Sequence, residues 1–373
     1  MSTWFQADSD GFLACHRLAL ASLPPHRLRG LLTLAQGDPI VALSLTQEPQ
    51  LGLTVKQKER LTEAARTPLP AKLRLEAERL GIYALLSTDP AYPSLLAPLE
   101  DAPPLVFLRG AMPEHTGVAI VGSRRATAYG KTQSERFAKA LAEAGLCLVS
   151  GGAAGIDTAV HKSALAAGGT SVAVVACGLD ISYPAENRKL FDSLAELGAV
   201  VSEYALGTTP EPWRFPARNR IIAGMCPLTL VIEAPEASGA LITARNAAEY
   251  GREVYVVPGP VDTGRSRGGH LLIQDGAGLA DSPEDILTAL NAVPQTVPMS
   301  NKSAEPVVAV KAAPPPELPP DEAALYARLG SAPVSLDDAT ESAGLSAPQA
   351  AVAVTLLEMK GLIRREPGGL LIR

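Results

Sequence analysis

At 373 residues, with 47% hydrophobic but only 4% aromatic side chains, the chain is long enough for two or three domains built mainly on Leu, Val, Ala and Ile. Its formal net charge of −6, taken alone, argues against a polyanionic partner, because phosphate binding needs Lys and Arg. Four dispersed cysteines without a C-x-x-C pair argue against structural zinc, and neither a signal peptide nor an apolar run near the ~20 residues of a membrane helix is present, so a cytoplasmic protein is expected.

Residues 1–80 are predicted to form a small helical domain. "FLACHRLALASL", "PHRLRGLLTLA", "TVKQKERLTEAA" and "PAKLRLEAERLG" space apolar residues at three and four, with Pro and Gly breakers between them. Arg27, Arg29, Lys56, Lys58 and Arg60 read as its solvated face. Over 81–292 short β-rich runs alternate with helical segments: "GIYALLS", "PLVFLRG", "VAIVGS", "LCLVSG", "SVAVVACG", "AVVSEY", "LTLVIEA" and "EVYVVPG". Continuous apolar strands alternating with helices predict an α/β domain, a Rossmann-like doubly wound, mainly parallel sheet covered on both faces. Ligands of such sheets sit at the carboxyl ends of the strands.

Residues 293–318, rich in Pro and Ala, read as a linker. Residues 319–373 read as three short helices and a hairpin, a winged helix. Its third helix, "SAPQAAVAVTLLE", offers no Lys or Arg and only Gln349 for base contacts, and the module has five basic against seven acidic residues. A duplex reader needs basic or amide side chains there, so a protein-facing role is expected.

The stretch "SGGAAGIDTAVH" places Gly151, Gly152 and Gly155 between an apolar strand and a helix start. Such a turn presents backbone N–H groups to an anion, either a bound nucleotide or a polynucleotide phosphate. As a dinucleotide fingerprint it needs Ser150 in place of the first glycine. "GSRRATAYGKT" puts seven residues between Gly122 and Gly130, where a Walker A loop permits four, so an ATPase is disfavoured. Between 118 and 292, fifteen basic residues face eighteen acidic ones, yet the basic ones gather in loops after strands. These are Arg124 and Arg125, Arg188 and Lys189, Arg214, Arg218 and Arg220, and Arg265 and Arg267. Tyr129, Tyr183, Trp213 and Phe215 lie in or beside the same loops, and flat rings next to arginines suit unpaired bases. No catalytic, metal or cofactor site is expected. His161 reads as a helix-surface residue and Asp157 as a loop-fixing cap, while Glu203 and Glu233 fit either acid/base groups or loop-ordering acceptors for arginine.

"VAIVGSRRATAYG", "SGGAAGIDTAVHKSAL", "GLDISYPAENRKL", "FPARNRIIAG", "EAPEASGALITARNAAEYGREVYVVPGP" and "LIQDGA" together resemble the DNA-processing protein A (DprA, also called Smf) family. The resemblance implies an N-terminal helical SAM-like domain, an extended Rossmann core and a C-terminal winged helix. It implies a non-catalytic homodimer that binds and protects single-stranded DNA, with RecA and single-stranded-DNA-binding protein as partners, and helps load RecA during natural transformation. The DNA site it implies comprises Gly122, Ser123 and Arg124, then Phe215, Arg218, Asn219 and Arg220, with Gly151, Gly152, Ser238 and Gly239 lining the same cavity. Arg125 and Lys189 join it from the charge clusters. Gly268-Gly269-His270 departs from the family's usual Gly-Thr-Asn, and Val160 from its usual Ala. The rival reading is a Rossmann-type phosphoribohydrolase, whose Pro-Gly-Gly-x-Gly-Thr-x-x-Glu segment is matched here only by "PGPVDTGRS", without the second glycine or the glutamate.

Overall fold

The apolar spacing of the first eighty residues becomes five helices whose ends are written in the chain. A computed structural model describes residues 5–46, 48–114, 117–292, 318–329, 334–360, 362–366 and 370–372. After a two-residue strand, β1 (Phe5–Gln6), helix α1 (Asp10–Leu20) starts on Ser9, whose Oγ accepts the N–H of Phe12. Helices α2 (Pro25–Leu34) and α3 (Pro39–Ser44) open on prolines, and α4 (Val55–Arg66) opens on a reciprocal capping box between Thr54 and Gln57. Helix α5 (Ala71–Leu80) stops at Gly81, which takes a left-handed conformation with φ 63°.

Strands and helices then alternate: β2 (Ile82–Leu86), β3 (Leu105–Gly110), β4 (Gly117–Val121), α6 (Ala128–Glu143), β5 (Cys147–Ser150), α7 (Ile156–Ala166), β6 (Ser171–Val174), α8 (Arg188–Leu197) and β7 (Ala199–Ser202). They continue through α9 (Arg214–Met225), β8 (Leu228–Val231), α10 (Gly239–Glu249), β9 (Glu253–Val256), α11 (Arg267–Gln274), β10 (Gly278–Leu279) and α12 (Pro283–Ala292). Ten strands form one sheet in the order β1-β2-β3-β7-β6-β5-β4-β8-β9-β10. The seven from β7 to β10 run parallel, and β3, β2 and β1 extend one side antiparallel. The sheet is therefore mainly parallel, as the apolar runs predict.

Alternate residues of each strand feed opposite layers. On β4, Val118 and Ile120 pack with Phe137 of α6 and Val160 of α7, while Ala119 and Val121 pack with Ile221 and Ile222 of α9. The chain winds away from β4 toward β7 through α6, α7 and α8, then returns to the other side of β4 with β8. The strand order reverses between β4 and β8, and in doubly wound sheets that crevice is the ligand position.

The helical segment over 1–80 does not stand apart from the sheet. Phe12, Leu18 and Leu31 share one buried cluster with Ala84, Phe107 and Val200, and the rings of Phe12 and Phe107 meet edge to face at 5.7 Å. Residues 1–300 form one compact unit and 301–373 a second. The linker expected over 293–318 lies, except for Leu318, outside the described residues. The second unit holds α13 (Pro320–Tyr326), β11 (Val334–Ser335), α14 (Leu336–Ala343), α15 (Ala347–Met359), β12 (Arg364–Glu366) and β13 (Leu370–Ile372), with its strands ordered β11-β13-β12. Three helices around Leu325, Val354 and Leu357 with a small antiparallel sheet make the expected winged helix. Among the described residues no helix is long and apolar enough to cross a membrane.

Candidate nucleic-acid interface

The crevice between β4 and β8 is filled by the chain itself. Glu233, two residues past β8 and 2% exposed, turns its carboxylate to the start of α6, where it accepts the backbone N–H and the hydroxyl of Thr127. Thr127 is also the N-cap of α6, accepting the N–H of Gly130 at 3.0 Å. A Cβ on Gly130 would lie 2.6 Å from the Glu233 carboxylate. The position where a dinucleotide phosphate meets a helix N-terminus thus holds a built-in anion, and like charges repel a second.

The glycine turn after β5 is packed in the same way. Gly155 has φ +86°, and a Cβ there would lie 2.3 Å from the carbonyl oxygen of Ser123. That carbonyl accepts the first N–H of α7, from Ile156, at 3.1 Å. At Gly151 a Cβ would strike both the Arg218 guanidinium and the Asp157 carboxylate, each at 2.7 Å. Gly152, at φ +65°, sits against the Phe191 ring, and its carbonyl accepts from Asn187 Nδ2 at 3.0 Å. These glycines order loops around one another, and their missing side chains leave room for protein atoms. Gly122 belongs with them, since a Cβ there would collide with Ile156 at 2.6 Å.

Ser123 is buried and fixes the β4 loop: its N–H donates to the Glu233 carbonyl at 2.8 Å, and its Oγ accepts the N–H of Arg125 at 3.1 Å. Held by that turn, Arg124 and Arg125 are exposed and make no ion pair among the described residues. The Arg124 guanidinium lies 4.4 Å over the ring of Phe215, and Phe215 meets Tyr183 with ring centroids 5.6 Å apart. Tyr183 is 46% exposed. Lys189, exposed on the first turn of α8, also makes no ion pair among the described residues. Two loops and the first turn of α9, far apart in sequence, thus build a ledge of one cation and two rings at the carboxyl edge.

The arginines of α9 behave differently. Arg218 is 3% exposed and donates to the carbonyls of Gly151, just past β5, and Val174, the last residue of the neighbouring β6. Burial draws its guanidinium down to about 10 while the Asp157 carboxylate supports its charge, and burial pushes Asp157 upward against Arg218. Arg220 forms a two-pronged pair with Glu203 at 2.6 and 3.0 Å, with Asp101 at 4.0 Å beyond. Arg214 pairs with Glu211 at 3.3 Å and stacks between Trp213 at 4.9 Å and Tyr204 at 5.4 Å. Of the Arg-Asn-Arg segment, neither guanidinium projects freely to the surface, whereas Trp213 does, at 59% exposure. Asn219 Nδ2 donates to the carbonyl of Gly239 at 3.1 Å, and Ser238 caps α10 through the N–H of Ala240, so these expected contacts tie α9 to α10.

The acid/base candidates are each committed. Glu203 serves as the acceptor for Arg220, and Glu233 serves Thr127 rather than an arginine. Asp157 fixes its loop by accepting the N–H of Ala153 at 3.2 Å. His161 corrects its expected place on the helix surface, for it is fully buried. The Ser171 hydroxyl gives its proton to the Leu148 carbonyl, so it accepts from His161 Nδ1 at 2.8 Å. Burial holds the imidazole down at about 3, with Arg218 acting in the same direction, and the ring stays neutral. Tyr129, read as a stacking ring, instead donates its hydroxyl to Pro258. Gly268 and Gly269, in the segment that departs from the family pattern, both donate their N–H groups to the Ala234 carbonyl.

The sequence matches the model of the DNA recombination-mediator protein A family over residues 83–291, and a DprA winged-helix model over 309–369. It is 36% identical to Protein Smf of Escherichia coli over 325 residues, covering 86% of this chain and 85% of that protein. To DNA processing protein DprA of Streptococcus pneumoniae it is 43% identical over 219 residues, covering 58% of this chain and 77% of that one. The X-ray structure of the latter species' protein superposes with a TM-score of 0.65 at 35% identity, covering 73% of this chain and 95% of that one. A structure of DNA processing protein A from Helicobacter pylori, concerned with its single-stranded DNA binding mode, superposes with a TM-score of 0.50 at 30% identity, covering 53% and 92%.

Proposed function

The chain belongs to the DNA recombination-mediator protein A family, and from that premise we propose that it binds single-stranded DNA along the carboxyl edge of its parallel sheet. The observation that carries the reading is the ledge of Arg124, Phe215 and Tyr183, a guanidinium stacked on a half-buried ring that meets an exposed one, with Arg125 next in the same turn. Unpaired bases stack on such rings without sequence preference, while the cations take phosphates. A duplex keeps its bases inside and gains nothing from the rings. The filled β4–β8 crevice supports the same choice, because a nucleotide-sized ligand meets Glu233 there, whereas a strand laid over the loops does not. The single-stranded DNA binding described for the Helicobacter pylori protein agrees with it.

In this reading the protein acts by holding DNA and not by catalysis, since Glu203, Glu233 and Asp157 are occupied in holding loops together. The finer role is a homodimer that shields incoming single strands, alongside single-stranded-DNA-binding protein, and delivers them to RecA. The direct test is an oligo-dT gel shift. Wild type should bind, with affinity falling steeply as salt rises; Arg124→Ala should weaken binding about tenfold to a hundredfold, by loss of ~1.5–3 kcal/mol. Equal affinity of the two proteins would remove Arg124 from the site. Release of ribose 5-phosphate from a nucleoside monophosphate by the purified protein would instead favour the phosphoribohydrolase reading.

A further inference from the structure

A second cationic element stands on the same edge, outside the ledge. The loop after β9 and the first residue of α11 carry Val261, Arg265 and Arg267. Val261 is 85% exposed, and both arginines are exposed without an ion pair among the described residues. Asp262 is the one acid within 257–267, so the loop is net positive.

This loop is anchored to the walls of the crevice. The Tyr129 hydroxyl donates to the Pro258 carbonyl, and His270 Nε2 lies 3.1 Å from the Gly259 carbonyl. The N–H groups of Gly268 and Gly269 reach the Ala234 carbonyl of the β8 loop at 2.9 and 3.3 Å. Tyr129 itself stands on the first turn of α6, directly after the loop that holds Arg124. Strands β4, β8 and β9 are parallel neighbours, so the loops following all three leave the sheet on one side. From β6, which leads to Tyr183, across β5, β4 and β8 to β9 is four strand spacings, about 19 Å. That distance exceeds a single nucleotide and suits a run of them.

We propose that a strand held at Arg124 and Phe215 continues across the β8 loop to the β9 loop, where Arg265 and Arg267 take phosphates and Val261 offers an apolar surface to a base. The inference rests on the single-stranded DNA reading and extends its contact path. A bland alternative is that these two arginines only solvate the loop, and salt dependence separates the two.

The test titrates oligo-dT of about six and about twenty nucleotides by fluorescence anisotropy at several salt concentrations, with wild type, R124A and R265A/R267A. R265A/R267A should shrink the advantage of the long strand over the short one by about tenfold or more, and should lower the salt slope on the long strand by about 1.4, two phosphates at ~0.7 each. An unchanged slope and affinity on the long strand, while R124A weakens both lengths, would sink the β9 path and leave the ledge standing. Equal weakening on both lengths would also overturn it, because the loop would then belong to the ledge contact. If wild type binds neither length, the single-stranded DNA reading itself fails. Thermal unfolding of R265A/R267A should match wild type, as both side chains are exposed and unpaired.

Discussion

Two arginine-bearing segments look alike in the chain and do opposite work in the fold. "GSRR" follows a strand and "WRFPARNR" opens a helix, and both combine cations with a nearby aromatic residue. In the first, the turn held by Ser123 leaves Arg124 and Arg125 in solvent, with Arg124 lying on Phe215. In the second, Arg218 and Arg220 are spent on carbonyls and carboxylates of the protein. Arg218 bridges the carboxyl ends of β5 and β6, the second of which leads to Tyr183. The lesson is that a cation's availability is decided by the helix face it occupies and by the acid beside it.

The contrast can be broken most sharply at Arg218. Arg218→Met should lower stability by about 3–5 kcal/mol, because Asp157 and two carbonyls lose their partner in a buried site. Urea unfolding would detect it, and a variant as stable as wild type would end the structural account of that residue. Arg220→Ala should cost less, about 2 kcal/mol, as its pair with Glu203 keeps more solvent contact than Arg218 does; a double-mutant cycle with Glu203→Gln should return a coupling of about 1 kcal/mol.

His161 sharpens the same contrast by pH. Its folded value near 3 lies below the 6.5 of the free side chain, so the unfolded chain takes up the proton first. Its contribution is complete above 6.5 and drains away as pH falls toward 3. Between pH 7 and 5 wild type should therefore lose up to about 2 kcal/mol through this group, and His161→Gln should flatten that part of a stability–pH profile. Smallest of all is the expected effect of Arg124→Ala on folding, within about 0.5 kcal/mol in the same urea assay, since its side chain is exposed and makes no ion pair among the described residues. A large loss there would erase the distinction between the two segments.

Much of the architecture was readable beforehand. The continuous apolar runs "VAIV", "LCLV" and "LTLV" became central strands because only a doubly covered sheet buries both faces of such a run. The exposure of Arg124 is readable too, since it lies in a short turn with no helical face to be drawn into. The inward arginine was missed, yet its signal was present: Arg218, Ile221, Ile222 and Met225 follow the three-and-four spacing of a buried stripe. His161 likewise shares a face with Ile156, Val160 and Ala164. By contrast, Glu233 and Thr127 are 106 positions apart, and nothing local announces that one will close the crevice beside the other. The pairing of Tyr183 with Phe215 is equally invisible, because it depends on how α9 crosses the strand ends.

The carboxylate wedged between β4 and β8 carries one more consequence. A cell is full of free ATP, NAD and their kin, and an open cleft of this architecture would be saturated by them before any strand arrived. By supplying its own negative charge at that spot, the protein denies those metabolites the phosphate position at the start of α6.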